Sequence, residues 1–180
     1  MKSRLFALSL CCIAALTQAQ TPPAGANQAP PAGAAQTPPP PPARGPSLDL
    51  ALEAAKVAIE TCRGLDQKVG VSVIDSAGAL KVLLATDGAA ARGVQNSTYK
   101  AQTALTFNTP TSKLAEQAKS DKTLAEKLAA NPNLLSRAGG IPIKVGNEVI
   151  GAIGVGGARG SEKDEACALA GLEKVQSRLN

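Results

Sequence analysis

GAIGVGGARGSEKDEACALAG, Gly151 to Gly171, sets glycines at 154, 156, 157 and 160 ahead of an acidic and then alanine-rich segment. The stretch has two readings: a phosphate-binding loop, or a strand that turns into a helix. A dinucleotide fingerprint needs Gly-x-Gly-x-x-Gly after a strand of a parallel unit. Counted from Gly154, the third glycine position holds Arg159, and no Gly-Lys-Ser/Thr follows. The strand-to-helix reading is the one that fits. Gly151 and Gly154 then allow another element to lie against the strand. Gly156 to Gly160 form the turn, and Ser161, Glu162 and Asp164 stand at the start of a helix whose dipole favours acids there. Arg159 and the amides of this turn offer a place for an anion.

The preceding residues settle what kind of strand this is. Gly140–Val145 and Glu148–Val155 flank Gly146-Asn147, a two-residue hairpin signal, and Pro142 points to an edge position. Val69–Asp75 alternates and is rich in β-branched residues; Ser76-Ala77-Gly78 turns it, and Ala79–Ala85 completes a second hairpin. Asp75 caps that turn. Helical spacing predicts a helix from Leu48 to Gly64, capped by Ser47, with Leu48, Leu52, Ala55, Ile59 and Cys62 on its apolar face. A second helix spans Ala91–Phe107, with Val94, Thr98, Ala101 and Leu105 inward and Tyr99 and Thr103 on the polar side. Shorter helices follow from Thr111 and from Asp121 to Ala130. The last runs from Glu162 to Leu179, with Ala168, Leu172, Val175 and Leu179 inward. Helix, hairpin, helices, hairpin, helix describes an α+β fold, an antiparallel sheet with helices packed on it.

Outside this region the chain changes character. Lys2 and Arg4 precede the apolar run Leu5–Leu16, which is too short to span a bilayer, and Thr17-Gln18-Ala19 has the small-x-small pattern of a secretory cleavage site. Residues 1–19 therefore read as a signal peptide, with a short membrane anchor as the alternative. Once it is cleaved, no stable membrane span is expected, and the mature protein belongs in the periplasm or outside the cell. Residues 20–46 are almost all Pro, Ala, Gly, Gln and Thr, including the proline run that ends at Pro42. That composition buries too little apolar surface to fold and acts as an extended spacer. The folded domain is then 47–180.

Charge and composition exclude some partners. The formal net charge is +5, and two of those charges leave with the signal. Single-strand nucleic-acid binders also use aromatic platforms. With one Tyr, no Trp and two Phe, one of them Phe6 in the signal, no nucleic-acid role is expected. Cys11 and Cys12 also leave with the signal. Cys62 and Cys167 remain, an even pair in an exported protein, expected to form a disulfide; two buried free thiols are the alternative.

VSVIDSAGAL (Val71–Leu80), TDGA (Thr86–Ala89), YKAQTA (Tyr99–Ala104), GGIPIKVGNEVIGAIGVGG (Gly139–Gly157) and the helix start Asp164-Glu165-Ala166-Cys167-Ala168 together resemble the GlcG/HbpS-like haem-binding family, which is related to the C-terminal domain of some cobalamin adenosyltransferases. The resemblance covers nearly all of 48–179. It implies a five-stranded antiparallel sheet with flanking helices, like profilin or PAS modules. It also implies homo-oligomers and, in some members, haem carriage or redox-sensing accessory roles. This chain departs from the usual haem ligands: it has no histidine, and its one methionine is Met1. The remaining iron-donor candidates are Tyr99, a cysteine, a lysine such as Lys100 or a weak hydroxyl ligand such as Thr103. Tyr99 is the best, since phenolate ligates ferric haem, with a surface or interface tyrosine as the alternative. Thr103 lies beside it, and Lys100 is placed to favour the phenolate or meet a propionate.

The absence of histidine removes the commonest neutral-pH base, the Ser-His and Cys-His nucleophile pairs and histidine-based metal sites. A pocket, if one forms, is expected to be lined by Asp87, Lys100 and the Gly154–Ser161 turn, Arg159 and Ser161 included. The leading expectation is an exported binding protein for a small molecule, haem first. The alternative is a non-catalytic interaction module that oligomerises, and an enzyme of unknown reaction is the third.

Overall fold

The computed structural model describes residues 42–180; the expected signal peptide and most of the expected spacer lie outside the described residues. The first helix, α1, is Leu48–Gly64, and Ser47 caps it by accepting from the Leu50 amide at 3.3 Å. Strands β1 (Gly70–Asp75) and β2 (Leu80–Ala85) form the first hairpin. Asp75 caps its turn as expected: one carboxylate oxygen accepts from the amides of Ala77 and Ala79, each at 2.9 Å. Helices α2 (Ala91–Phe107), α3 (Thr111–Ser120) and α4 (Lys122–Ala129) follow. The second hairpin is β3 (Gly140–Val145) and β4 (Glu148–Gly156), and α5 (Ser161–Val175) ends in a short 3-10 turn, Gln176–Arg178.

The sheet is antiparallel with strand order β2-β1-β4-β3, so the two hairpins join through β1 and β4. Pro142 sits on edge strand β3, as its missing N–H requires. The fold class stands, but the expected fifth strand does not: four strands are present among the described residues. The segment between the hairpins is spent on three helices. The extended residues before α1 make a single backbone bond to the sheet, from the Ser76 amide to the Arg44 carbonyl at 2.8 Å. Pro46, with no N–H to donate, cannot extend that contact into a ladder. Even so, this end of the spacer is attached. Arg44 donates its amide to the Ser76 hydroxyl and pairs with Glu148, while Lys81 reaches the Pro46 carbonyl at 3.0 Å.

Two cores flank the sheet. On one face α1 and α5 cover Val71, Val73, Val82, Ile153 and Val155. Of the expected α1 face, Ala55 and Cys62 are fully buried and Leu52 and Ile59 are partly buried against the core, but Leu48 is not. Ala51, Ala54, Ala55, Ala58 and Cys62 point inward, while Leu48 is 57% exposed. Small residues bring α1 close to α5, where Gly171 faces the Ala54 carbonyl, and the Cys62–Cys167 disulfide joins the two helices across 105 residues of chain. On the other face α2 lies on β1, β3 and β4, with Ile74, Ala101, Ala104 and Ala152 between them. Its buried side also carries Ser97, Lys100 and Thr103.

Gly154 explains how α2 can lie so near. A Cβ there would overlap the Ser97 carbonyl oxygen and come within 2.7 Å of the Ala101 amide. The opening glycine stretch is thus a paved sheet face for a helix, as the strand-to-helix reading anticipates. Gly154→Ala is expected to destabilise the fold by roughly 1–3 kcal/mol, since backbone rather than a flexible side chain must give way. A urea melt showing no loss would mean that α2 can lift without cost.

Candidate functional site

The turn between β4 and α5 meets the middle of α2, and two of the buried charged groups, Lys100 and Asp164, meet there. Lys100, 3% exposed, donates to Asp164, also 3% exposed, at 2.6 Å. Asp164 belongs to the first turn of α5 and its other oxygen accepts from the Ala158 amide at 3.0 Å. Burial is the largest influence on both members: it lowers the Lys100 pKa and raises that of Asp164, against the opposing pull of each on the other. Arg137 adds to the lowering at Lys100, and Glu165 partly offsets it.

A small cavity of about 100 Å³ opens onto this pair, lined by Asn96, Lys100, Leu135, Arg137, Gly157, Ala158, Ser161 and Asp164. Next to it, sharing Gly157, is a wider cleft of about 370 Å³ lined by Asp66, Gln67, Lys68, Gly88, Ala90 and Arg159. Both are polar, and neither is enclosed by large apolar side chains.

The six expected site residues divide among these places. Lys100 and Ser161 line the small cavity together, and Arg159 lines the neighbouring cleft. Asp87 is exposed in its Thr-Asp-Gly turn and lines neither, although Gly88 beside it does. Tyr99 is half-buried and also lines neither; its hydroxyl accepts from Gln95 at 2.9 Å. Thr103 is fully buried rather than on a polar face. Its hydroxyl donates to the Tyr99 carbonyl and accepts from the Leu135 amide, both at 2.7 Å, which ties α2 to the loop before β3. Two amides of the turn expected as an anion seat are engaged: Ala158 donates to Asp164, and Arg159 to the Gln67 side chain at 2.8 Å.

Three members of the cavity lie beyond what the sequence reading reached: Asn96, Arg137 and the pairing of Asp164 with Lys100. A signal for Lys100 was present, since a lysine among Ala101, Ala104 and Ser97 on a buried helix face requires a counter-charge. Nothing local names the partner, which lies 64 residues away.

Comparison with known proteins follows the fold closely. Among curated proteins none matches the chain. The solved structure of HbpS is 32% identical, with a TM-score of 0.69, and the match covers 79% of this chain and 99% of that one. A double mutant of HbpS from Streptomyces reticuli matches at the same identity and TM-score over 82% of this chain and 98% of its own. The haem complex of PduOC, at 21% identity and a TM-score of 0.66 over 72% of this chain and 94% of that one, shares the fold. The sequence model of the family described as haem degrading protein HbpS-like matches residues 47–173. The chain belongs to the HbpS-like family.

Proposed function

We propose that this protein is an exported haem-binding accessory or carrier that holds haem at a surface shared between copies of the chain, with the Tyr99 phenol as iron donor. The donor set carries this reading. The sequence holds no histidine and its one methionine is Met1, while Cys62 and Cys167 are tied to each other. Tyr99 is then the best iron donor among the described residues. The family's description and the haem-bound PduOC relative support haem as the ligand.

An enclosed haem does not fit one copy of this chain. The two cavities at the start of α5 are polar, and Tyr99 borders neither. The phenol instead lies half-buried on the surface of α2, so a macrocycle stacked there would need a second apolar surface to cover it. Export is supported by the basic-apolar-small pattern of residues 1–19 and by a disulfide of the kind that persists in oxidising compartments.

Titrating the mature protein with haemin, followed by absorbance, tests the reading. A saturable Soret shift is expected. Tyr99→Phe should weaken it by more than the ~10–100-fold that loss of an outer-shell partner costs a metal site. An unchanged titration in the variant would remove Tyr99 from the iron, and no shift beyond free haemin would remove haem.

One observation favours the interaction-module reading as a second possibility. Edge strand β2 exposes Leu80 (50%) and Leu83 (43%), a surface that invites pairing. If assembly is the function, Leu80→Lys with Leu83→Lys should convert the protein to monomer in sedimentation experiments, and wild type should leave haemin unbound.

A further inference from the structure

We propose that the small cavity between α2 and α5 is a binding site for a short carbonyl acid, such as a 2-oxo acid, and that Lys100 forms an imine with its carbonyl carbon while Arg137 holds its carboxylate. This site is separate from the haem reading and does not depend on it.

The argument starts from the Lys100–Asp164 pair. A buried ion pair is a poor way to stabilise a fold, because removing two charges from water costs about as much as their attraction returns. Here the pair is not sealed in packing but forms the wall of a cavity of about 100 Å³. At ~30 Å³ per water, that is room for about three waters, or for a two- or three-carbon acid in their place. The lining supplies what such a ligand needs. Arg137 has no carboxylate partner among the described residues and presents a guanidinium suited to a carboxylate. Asn96 and Ser161 add polar groups at the rim.

An amine attacks a carbonyl only when neutral. Lys100 donates to Asp164 at 2.6 Å, so the proton acceptor is already in place. Desolvation favours that transfer from both sides, since it lowers the lysine and raises the acid. The groups acting on Lys100 are Asp164 and Glu165 from α5 and Arg137 from the loop before β3. Glu165 is itself engaged by the Ser112 hydroxyl at 2.7 Å.

The step balances without an oxidant or reductant. Lys100 passes a proton to Asp164, and its nitrogen bonds to the carbonyl carbon. The carbonyl oxygen takes up two protons, one returned by Asp164 and one released by the lysine nitrogen of the adduct, and leaves as water. The product is a protonated imine, whose positive charge again faces the Asp164 carboxylate.

The test is borohydride trapping of the mature protein with pyruvate at neutral pH, followed by peptide mapping. Acetone, which lacks the carboxylate, serves as the paired probe. The expected result is one reduced adduct on Lys100 formed with pyruvate, at least tenfold less with acetone, and none at that position in Lys100→Arg. Arg137→Ala should bring pyruvate labelling down to the acetone level. Since Arg137 is exposed, this variant should fold normally by circular dichroism. Three results would each overturn the proposal: pyruvate spread over the exposed lysines with Lys100 unlabelled, no adduct in folded protein, or equal labelling by the two probes.

Discussion

Asp164→Ala is expected to be among the most damaging single substitutions in this protein, costing roughly 3–5 kcal/mol, the range for breaking one side of a buried pair. The change strands Lys100 in a site where it is 3% exposed, and it removes the acceptor of the Ala158 amide. Urea denaturation of the variant against wild type measures it directly. Replacing both partners with apolar residues, as in Lys100→Met with Asp164→Leu, should recover most of the loss, because no uncompensated charge remains. If the single and double variants are equally unstable, the pair contributes through shape and not through charge.

The pair also sets a pH dependence whose sign follows from burial. Asp164 has its folded pKa raised above the ordinary 3.8, so its contribution to stability is fully present below 3.8 and is lost as pH rises through the raised value. Lys100 has its folded pKa lowered below 10.5, so its contribution is present above 10.5 and is lost as pH falls through the lowered value. Between those windows, where both groups are charged, the pair helps least. The stability of wild type minus that of the apolar double variant is therefore expected to pass through a minimum between pH 3.8 and 10.5. A maximum there would mean that mutual attraction outweighs desolvation.

The disulfide gives the second large effect. Cys62 and Cys167 lie at the contact of α1 with α5, both fully buried, and their bond closes a loop with a sequence separation of 105. In the chain-entropy account, a loop of that length constrains the unfolded chain by up to ~5 kcal/mol, and removal of native disulfides from small exported domains costs roughly 2–5 kcal/mol. The double variant Cys62→Ala, Cys167→Ala should lose that amount in urea, and reduced wild type should match it. A loss confined to a few tenths of a kcal/mol would show that the alanine-lined contact of α1 and α5 holds the two helices without the bond. The tertiary contacts make this test informative, since Ala54 and Ala58 already seat Gly171 closely.

Most of the element order was legible before the structure. Both hairpins, the turn cap at Asp75, the edge position of Pro142 and the pairing of the two cysteines stand as read. Where the reading failed, it failed in one direction. Periodicity weighs large apolar residues, so it placed Leu48 inward and Thr103 outward, whereas close helix packing in this fold selects alanine, serine and glycine. The fifth strand came from family likeness and not from any extended segment in the chain, and no such strand is present among the described residues.

The sequence by itself determined which segments are helix and which are strand, because backbone preference, turn chemistry and capping act over a few residues. It also determined which iron donors are absent, since composition is enough for that. The tertiary structure alone decided that Lys100, Arg137 and Asp164 share one cavity, and that Asp87 and Tyr99 lie outside it. Those residues come from α2, the loop before β3 and the first turn of α5, and they meet where Gly140, Gly154 and Gly156 let α2 settle on the sheet beside the β4–α5 turn. Desolvation, which shifts both members of the pair, is likewise imposed by neighbours distant in the chain, and no local pattern encodes it.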